Sequence, residues 1–246
     1  MILTLHGTGA GTPGGDRMAS ALTASFADGS IVLFDAGEGC TRAMLRDGIE
    51  INRIARVAIS HTHADHWTGL PGLIMGWGLA KRTDPVTIHV PPGSEPVFEE
   101  LLSFSYSFRE KLPFALKFAA LGDIPLSDGW DADIFDTTHL DGVKELAVKY
   151  GRAAVAYGYR LTNGDRKVVL SQDIGGEDDL RGVIAGAELL ICESAHVEPA
   201  SVLAIARDAG VRQVIFTHVP PDDPAFPDAF DGIAWSVAVD GMRVGL

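Results

Sequence analysis

Short apolar runs bounded by Gly, Pro, Asn and Asp recur along the whole chain, the pattern of strands separated by turns. Ile2 to Leu5 alternates with polar neighbours and reads as a strand. Ser20 to Ala27 and Ser30 to Asp35 follow, joined by Asp28-Gly29, a dipeptide suited to a two-residue hairpin. Arg56 to Ser60 and Val86 to Val90 are apolar enough for buried strands, and Leu116 to Ala119 and Trp130 to Thr137 continue the series. Val155 to Leu161 alternates and turns at Asn163-Gly164 into Lys167 to Leu170. Leu189 to Cys192 and Val211 to Phe216 complete the set. Helical stretches fall between them: Thr41 to Arg46 closed by Asp47-Gly48, Gly69 to Leu79, Ser94 to Ser105, Leu180 to Ala187, and Pro199 to Ala209 closed at Gly210. Phe98, Leu101, Leu102 and Tyr106 share one face at helical spacing.

Hairpins and βα units alternate in both halves. With helices on the outside, this predicts an α/β fold of two sheets packed face to face, a four-layer αββα sandwich. The 246 residues suit one large domain or two small ones. No linker or low-complexity segment interrupts them, so residues 1–246 read as a single domain. Each half has strands leading to candidate ligands, without a clear sequence repeat.

Composition narrows the function. Formal net charge is −13, from 33 acidic and 20 basic residues. Such a surface repels long phosphate backbones at a distance, while a locally positive cleft still attracts a small anion. Cys40 and Cys192 are the only cysteines and make no disulfide framework, so a reducing compartment is the simpler expectation. Met1 to Leu5 has no basic leader region and no apolar run approaches 20 residues. A soluble, cytoplasmic protein with no membrane partner is expected.

The chemistry concentrates in Ile59-Ser-His-Thr-His-Ala-Asp-His-Trp-Thr-Gly69. His61, His63, Asp65 and His66 are imidazole and carboxylate groups, the ligand types that suit zinc, iron and manganese. They fall where one strand ends and a turn into a helix begins, the usual place for a site in an α/β sheet. His139, Asp173 and His218 repeat that grammar: an apolar strand, a small polar residue, then the candidate ligand. His89, within a strand, reads as structural, though it rivals His139, and Asp136 rivals Asp173. Gly7 to Gly15 lacks the spacing of a nucleotide-binding loop and reads as a tight turn or, less simply, an amide nest for phosphate. Arg17 reaches either a substrate anion or a surface carboxylate. Asp35 either orients a ligand histidine through its second ring nitrogen or caps the helix beginning near Cys40. The aromatics of Ser103 to Phe114 line a pocket, a dimer contact or ordinary core.

His61-Thr-His63-Ala-Asp65-His66 resembles the HxHxDH signature of the metallo-β-lactamase fold superfamily. Leu5-His-Gly-Thr-Gly-Ala-Gly-Thr-Pro13 with Arg17, Leu33-Phe-Asp-Ala-Gly-Glu-Gly39 and Gly69-Leu-Pro-Gly-Leu73 are similar to the ribonuclease Z branch. The likeness runs from near the first residue to about Leu73 and resumes in the last third. It implies two divalent ions, with zinc the first expectation and manganese or iron the alternatives. By the family's pattern His61, His63 and His139 hold one ion, Asp65, His66 and His218 the other, and Asp173 bridges. Asp65 also aligns the bridging hydroxide. The resemblance further implies that His196 of Glu193-Ser-Ala-His196 is the general acid, with Glu193 holding its ring; the plainer reading is a capping Glu and a solvent-facing His.

Two departures stand out. Ser171-Gln-Asp-Ile174 replaces the family's usual Gly and Thr around the bridging Asp. Only 33 residues separate His139 from Asp173; they read as ordinary strands, leaving no room for the flexible arm by which ribonuclease Z grips tRNA. The expectation is therefore a metal-dependent phosphodiesterase acting on a small or cyclic anionic substrate, against tRNA. Hydrolysis of a carboxylic ester, thioester or lactam is the alternative, and a non-catalytic metal-binding protein the second. A homodimer is expected only by analogy with the family.

Overall fold

In the computed structural model, residues 1–12, 14–222 and 225–246 are described; Pro13 of the glycine-rich stretch lies outside them. The chain forms two compact units. The first comprises Met1–Gly11, Gly15–Leu121 and Val239–Leu246, and the second Thr12–Gly14 and Gly122–Ala238.

The first unit carries a seven-stranded sheet. Its strands are β1 (Ile2–Gly7), β2 (Ala21–Ser25), β3 (Ile31–Phe34), β4 (Ile54–Ala58), β5 (Val86–Val90), β6 (Leu116–Ala120) and the C-terminal β14 (Met242–Gly245). The order is β14-β1-β2-β3-β4-β5-β6. Pairing is antiparallel from β14 to β3 and parallel from β3 to β6. Helices α1 (Cys40–Arg46), α2 (Leu70–Leu79) and α3 (Glu95–Phe104) belong to the same unit. Every residue of Ile31–Phe34 is buried, as expected of an interior strand beside a parallel neighbour. Cys40, Met44, Leu70, Leu73, Ile74 and Trp77 pack with Leu33, Val57, Ile59 and Ile88 in one cluster. Trp77 is fully buried, and its indole N–H donates to the Ile51 carbonyl at 2.9 Å, which satisfies the one polar atom that burial would penalise.

The second unit repeats the pairing pattern. Its strands are β7 (Ile124–Pro125), β8 (Asp131–Thr137), β9 (Ala156–Asn163), β10 (Arg166–Leu170), β11 (Leu189–Glu193), β12 (Gln213–Thr217) and β13 (Ala234–Val237). They lie in the order β13-β12-β11-β10-β9-β8-β7. Pairing is antiparallel from β7 to β10 and parallel from β10 to β13. The unit also holds α4 (Lys144–Lys149) and α5 (Pro199–Asp208). Val202, Leu203 and Ala206 of α5 pack against Val169, Leu190, Cys192, Val214 and Phe216. Cys40 and Cys192 are buried free thiols; burial holds the Cys40 thiol up at about 11 and raises that of Cys192.

Three readings of the sequence change. Leu180 to Ala187 is not a helix: a short turn over Glu177–Leu180 precedes it, and Gly182 and Gly186 take left-handed backbone at φ 77° and 68°. Residues 140–172, read as strands throughout, include the exposed helix α4. The short strands β7, β13 and β14 were not expected; four residues or fewer at a sheet edge carry little periodic signal.

Candidate metal centre

The HxHxDH loop leaves β4 and returns into α2. His63 is exposed, Asp65 half-buried, and His61 and His66 fully buried. His61 and His63 rings meet edge-on at 4.8 Å between centroids, and His61 and His66 at 4.1 Å. Asp65 Oδ2 lies 3.3 Å from His66 Nε2.

Asp35, at the end of β3, fixes this loop from below. It is fully buried and holds a left-handed backbone at φ 56°. Its Oδ1 accepts from Ser60 N at 2.7 Å and its Oδ2 from the Ser60 hydroxyl at 2.9 Å. The same Oδ2 pairs with His66 Nδ1 at 2.6 Å. Ser60 Oγ also lies 3.1 Å from His61 Nδ1. The hydroxyl has one proton, given to Asp35, so His61 Nδ1 must donate to it. Both rings thus carry their proton on Nδ1 and present the Nε2 lone pair, the form a metal ligand requires. The helix-cap reading of Asp35 fails: the residue capping α1 is Gly39, with no side-chain cap. Two glycines permit the tight packing. A Cβ on Gly37 would stand 2.3 Å from the Asp65 carbonyl, and one on Gly69 2.1 Å from the Gly37 carbonyl.

The glycine-rich loop borders the same ligands. A Cβ on Gly11 would sit 3.2 Å from Asp65 Oδ2. Asp240 holds the loop's base, accepting from Thr8 N, the Thr8 hydroxyl and Met18 N at 3.0, 2.8 and 2.8 Å. Gly9 N donates to Met18 O. Thr8 N and Gly9 N are thus spent on Asp240 and Met18 O, which favours the tight turn over a phosphate nest. Arg17 Nη1 donates to Thr8 Oγ1 at 2.7 Å.

In the second unit, His139 follows β8, Asp173 follows β10, Glu193 ends β11 and His218 follows β12. Asp173 is buried, and its Oδ2 lies 3.6 Å from His139 Nε2 and 3.3 Å from His218 Nε2. One carboxylate oxygen facing two imidazoles is the arrangement a shared ligand needs. Gln172 and His218 hold left-handed backbone, at φ 48° and 52°, so strained positions fall at the strand ends that carry candidate ligands. The Thr137 hydroxyl donates to the Asp173 carbonyl at 2.8 Å.

Glu193 is buried, whereas the His196 side chain is 39% exposed. Glu193 Oε2 accepts from Ala195 N at 2.6 Å and His196 N at 3.0 Å, and Oε1 pairs with His196 Nδ1 at 3.0 Å. The carboxylate therefore caps the turn and holds the ring at once. The His196 ring lies 4.7 Å from that of His139 and stacks on that of His218 at 6.1 Å.

His89 and Asp136 belong to no candidate ligand group among the described residues. Burial pushes the His89 pKa down against a backbone hydrogen bond with Ala120, in keeping with its structural reading. The aromatic stretch divides: Phe114 is buried core, whereas Phe104 and Tyr106 are exposed.

Residues 31–219 match the family model described as a Beta-lactamase superfamily domain. The chain belongs to the β-lactamase superfamily. It is a metal-dependent hydrolase of the metallo-β-lactamase fold. Among curated relatives, Ribonuclease Z of Bradyrhizobium diazoefficiens is 28% identical over 269 residues, spanning 88% of this chain and 89% of the relative. Among solved structures, the short form of human tRNase Z aligns with a TM-score of 0.76 at 22% identity, covering 100% of this chain and 99% of that one. A diphosphatase of the PhnP family aligns at 0.70 and 19% identity, covering 100% and 97%. These likenesses bear out the metallo-β-lactamase fold and the ribonuclease Z-like character of the chain. They overturn the expectation against tRNA, which rested on net charge and on the missing arm: a relative named Ribonuclease Z is matched over nearly its whole length. Among the described residues, no helix is long and apolar enough to cross a membrane.

Proposed function

We propose that the chain hydrolyses phosphodiesters at a centre of two divalent ions. One ion would be held by His61, His63, His139 and Asp173, the other by Asp65, His66 and His218, with Asp173 shared. The donor set fits: His61 and His66 have their Nδ1 atoms tied through Ser60 and Asp35, and Asp173 Oδ2 faces both His139 and His218. Zinc suits such imidazole and carboxylate donors best, with manganese and iron as alternatives.

When bound, the ions supply a water acidified to a pKa of about 7 and neutralise charge on the phosphate. Asp65 accepts a hydrogen bond from the attacking water and aligns it in line with the leaving oxygen. His196 Nε2 gives its proton to that oxygen as the P–O bond breaks. Glu193 Oε1 keeps Nδ1 protonated and stabilises the cationic ring before transfer, the orienting role a buried carboxylate plays behind a catalytic imidazole. The observation that carries this reading is the His196 ring, fixed by Glu193 and packed against His139 and His218.

The named relatives support RNA of the tRNA class as substrate. A small or cyclic phosphodiester is the second reading, supported by the likeness to a diphosphatase of the PhnP family. Zinc- or manganese-loaded protein offered a precursor tRNA, a 2′,3′-cyclic nucleotide, bis-p-nitrophenyl phosphate, p-nitrophenyl acetate and nitrocefin tests both. Turnover of phosphodiesters supports the proposal, and the ratio of the first two substrates separates its branches. Turnover of p-nitrophenyl acetate or nitrocefin alone contradicts it.

A further inference from the structure

One carboxylate outside the candidate ligands ties two of them together. Asp179 lies in the short turn Glu177–Leu180 and is half-buried. Its Oδ2 accepts from Thr138 N at 2.9 Å and from Gly175 N at 2.8 Å, and the Thr138 hydroxyl bonds to the same carboxylate at 3.0 Å. Thr138 immediately precedes His139, and Gly175 stands two residues after Asp173. The two loops are pressed together there: a Cβ on Gly175 would lie 2.2 Å from Thr138 Oγ1. The same turn reaches the His196 segment, where Glu177 Oε1 accepts from Glu198 N at 3.2 Å.

We propose that Asp179 is a positioning residue that sets the spacing of His139 and Asp173 by clamping their two loops. The inference rests on the dinuclear reading above. A carboxylate taking two backbone N–H groups and a hydroxyl fixes both loops at the backbone, upstream of any side-chain rotamer. The Thr137 hydroxyl bond to the Asp173 carbonyl holds them on the other side, so loss of Asp179 loosens the pair without parting the strands. Asp179 also borders an open cavity of about 630 Å³ lined by Ser201 and Ile205, so its replacement removes little core packing.

Zinc affinity of chelator-stripped protein, measured by competition with a chromophoric chelator, tests this beside the cobalt(II) absorption spectrum. Wild type should take up two ions. Asp179→Ala should bind one of them about 10- to 100-fold more weakly, shift the cobalt bands, and lower kcat on bis-p-nitrophenyl phosphate more than it raises KM. Asp179→Asn should restore most of the affinity, because its carbonyl oxygen still accepts from both amides. Asp178→Asn, on the neighbouring carboxylate paired only with Arg181 among the ion pairs described, should match wild type. Asp179→Ser carries the same expectation as alanine and serves if that variant does not fold. Wild-type affinity and spectrum in the alanine or serine variant overturn the inference, as does equal impairment in Asp178→Asn. A wild-type protein that takes up no ion overturns the dinuclear reading itself, and this inference with it.

Discussion

Asp35 Oδ2 and His66 Nδ1 lie 2.6 Å apart, both side chains fully buried. The pair sets which nitrogen of His66 faces outward, and through Ser60 the same carboxylate sets His61. Asp35→Asn tests that control. Its carbonyl can still accept from Ser60 N, but its amide N–H then points at His66 Nδ1 and favours the tautomer protonated on Nε2. Zinc affinity should fall about 10- to 100-fold. Unchanged affinity by chelator competition would show that the tautomer is set elsewhere.

His196 and Glu193 make a prediction that depends on the leaving group. His196→Ala should lower kcat about 10²- to 10⁴-fold on a ribose-linked phosphodiester, with metal content unchanged. The loss should shrink to a small factor with bis-p-nitrophenyl phosphate, whose leaving group needs no proton. Glu193→Gln should fall between wild type and the alanine variant on the poor leaving group. An equal loss on both substrates would make His196 structural.

Gly37 is a packing prediction. A methyl there meets the Asp65 carbonyl at 2.3 Å and Ala19 at 2.7 Å, backbone and short side chain that cannot swing away. Gly37→Ala should destabilise the fold by about 1–3 kcal/mol and displace the HxHxDH loop. Denaturant titration and zinc uptake, measured on one preparation, should fall together. A variant with both unchanged would contradict the packing described.

His6 gives stability a pH dependence with a definite sign. It is buried with Nδ1 2.7 Å from Asp47 Oδ2 and Nε2 2.8 Å from Thr23 Oγ1. Burial outweighs its Asp47 partner and holds its pKa below the usual 6.5. A folded state that resists protonation is fully favoured above about pH 6.5 and loses stability as pH falls below it, where the unfolded chain takes up the proton. With chelator present, the denaturant midpoint should decline between about pH 6.5 and 5, and His6→Gln should decline less over the same interval. A steeper decline in the variant would reverse the assignment.

The sequence made the HxHxDH loop and the strand-end ligands legible because their chemistry is tied to a local rule, an apolar strand followed by a small polar residue and a ligand. The two-sheet pattern was legible for the same reason, since β3, β4, β11 and β12 read as apolar runs. Asp179 and Asp240 were not legible. Each acts by accepting backbone N–H groups from segments 41 and 232 residues away, and no local periodicity marks such a partner. The helix expected over 180–187 failed because two left-handed glycines outweighed an apolar spacing. The topological correspondence of Asp35 after β3 with Asp173 after β10, and of the HxHxDH loop after β4 with Glu193 and His196 after β11, is visible only in the strand order; it gives physical form to the two ligand-bearing halves.

Anomalous diffraction at the zinc edge from zinc-soaked crystals tests the dinuclear centre most directly. Two peaks roughly 3.5–4 Å apart are expected, one bonded by His61, His63 and His139, the other by Asp65, His66 and His218, with Asp173 touching both. A single peak, or zinc bound without His139, Asp173 or His218, would contradict the account.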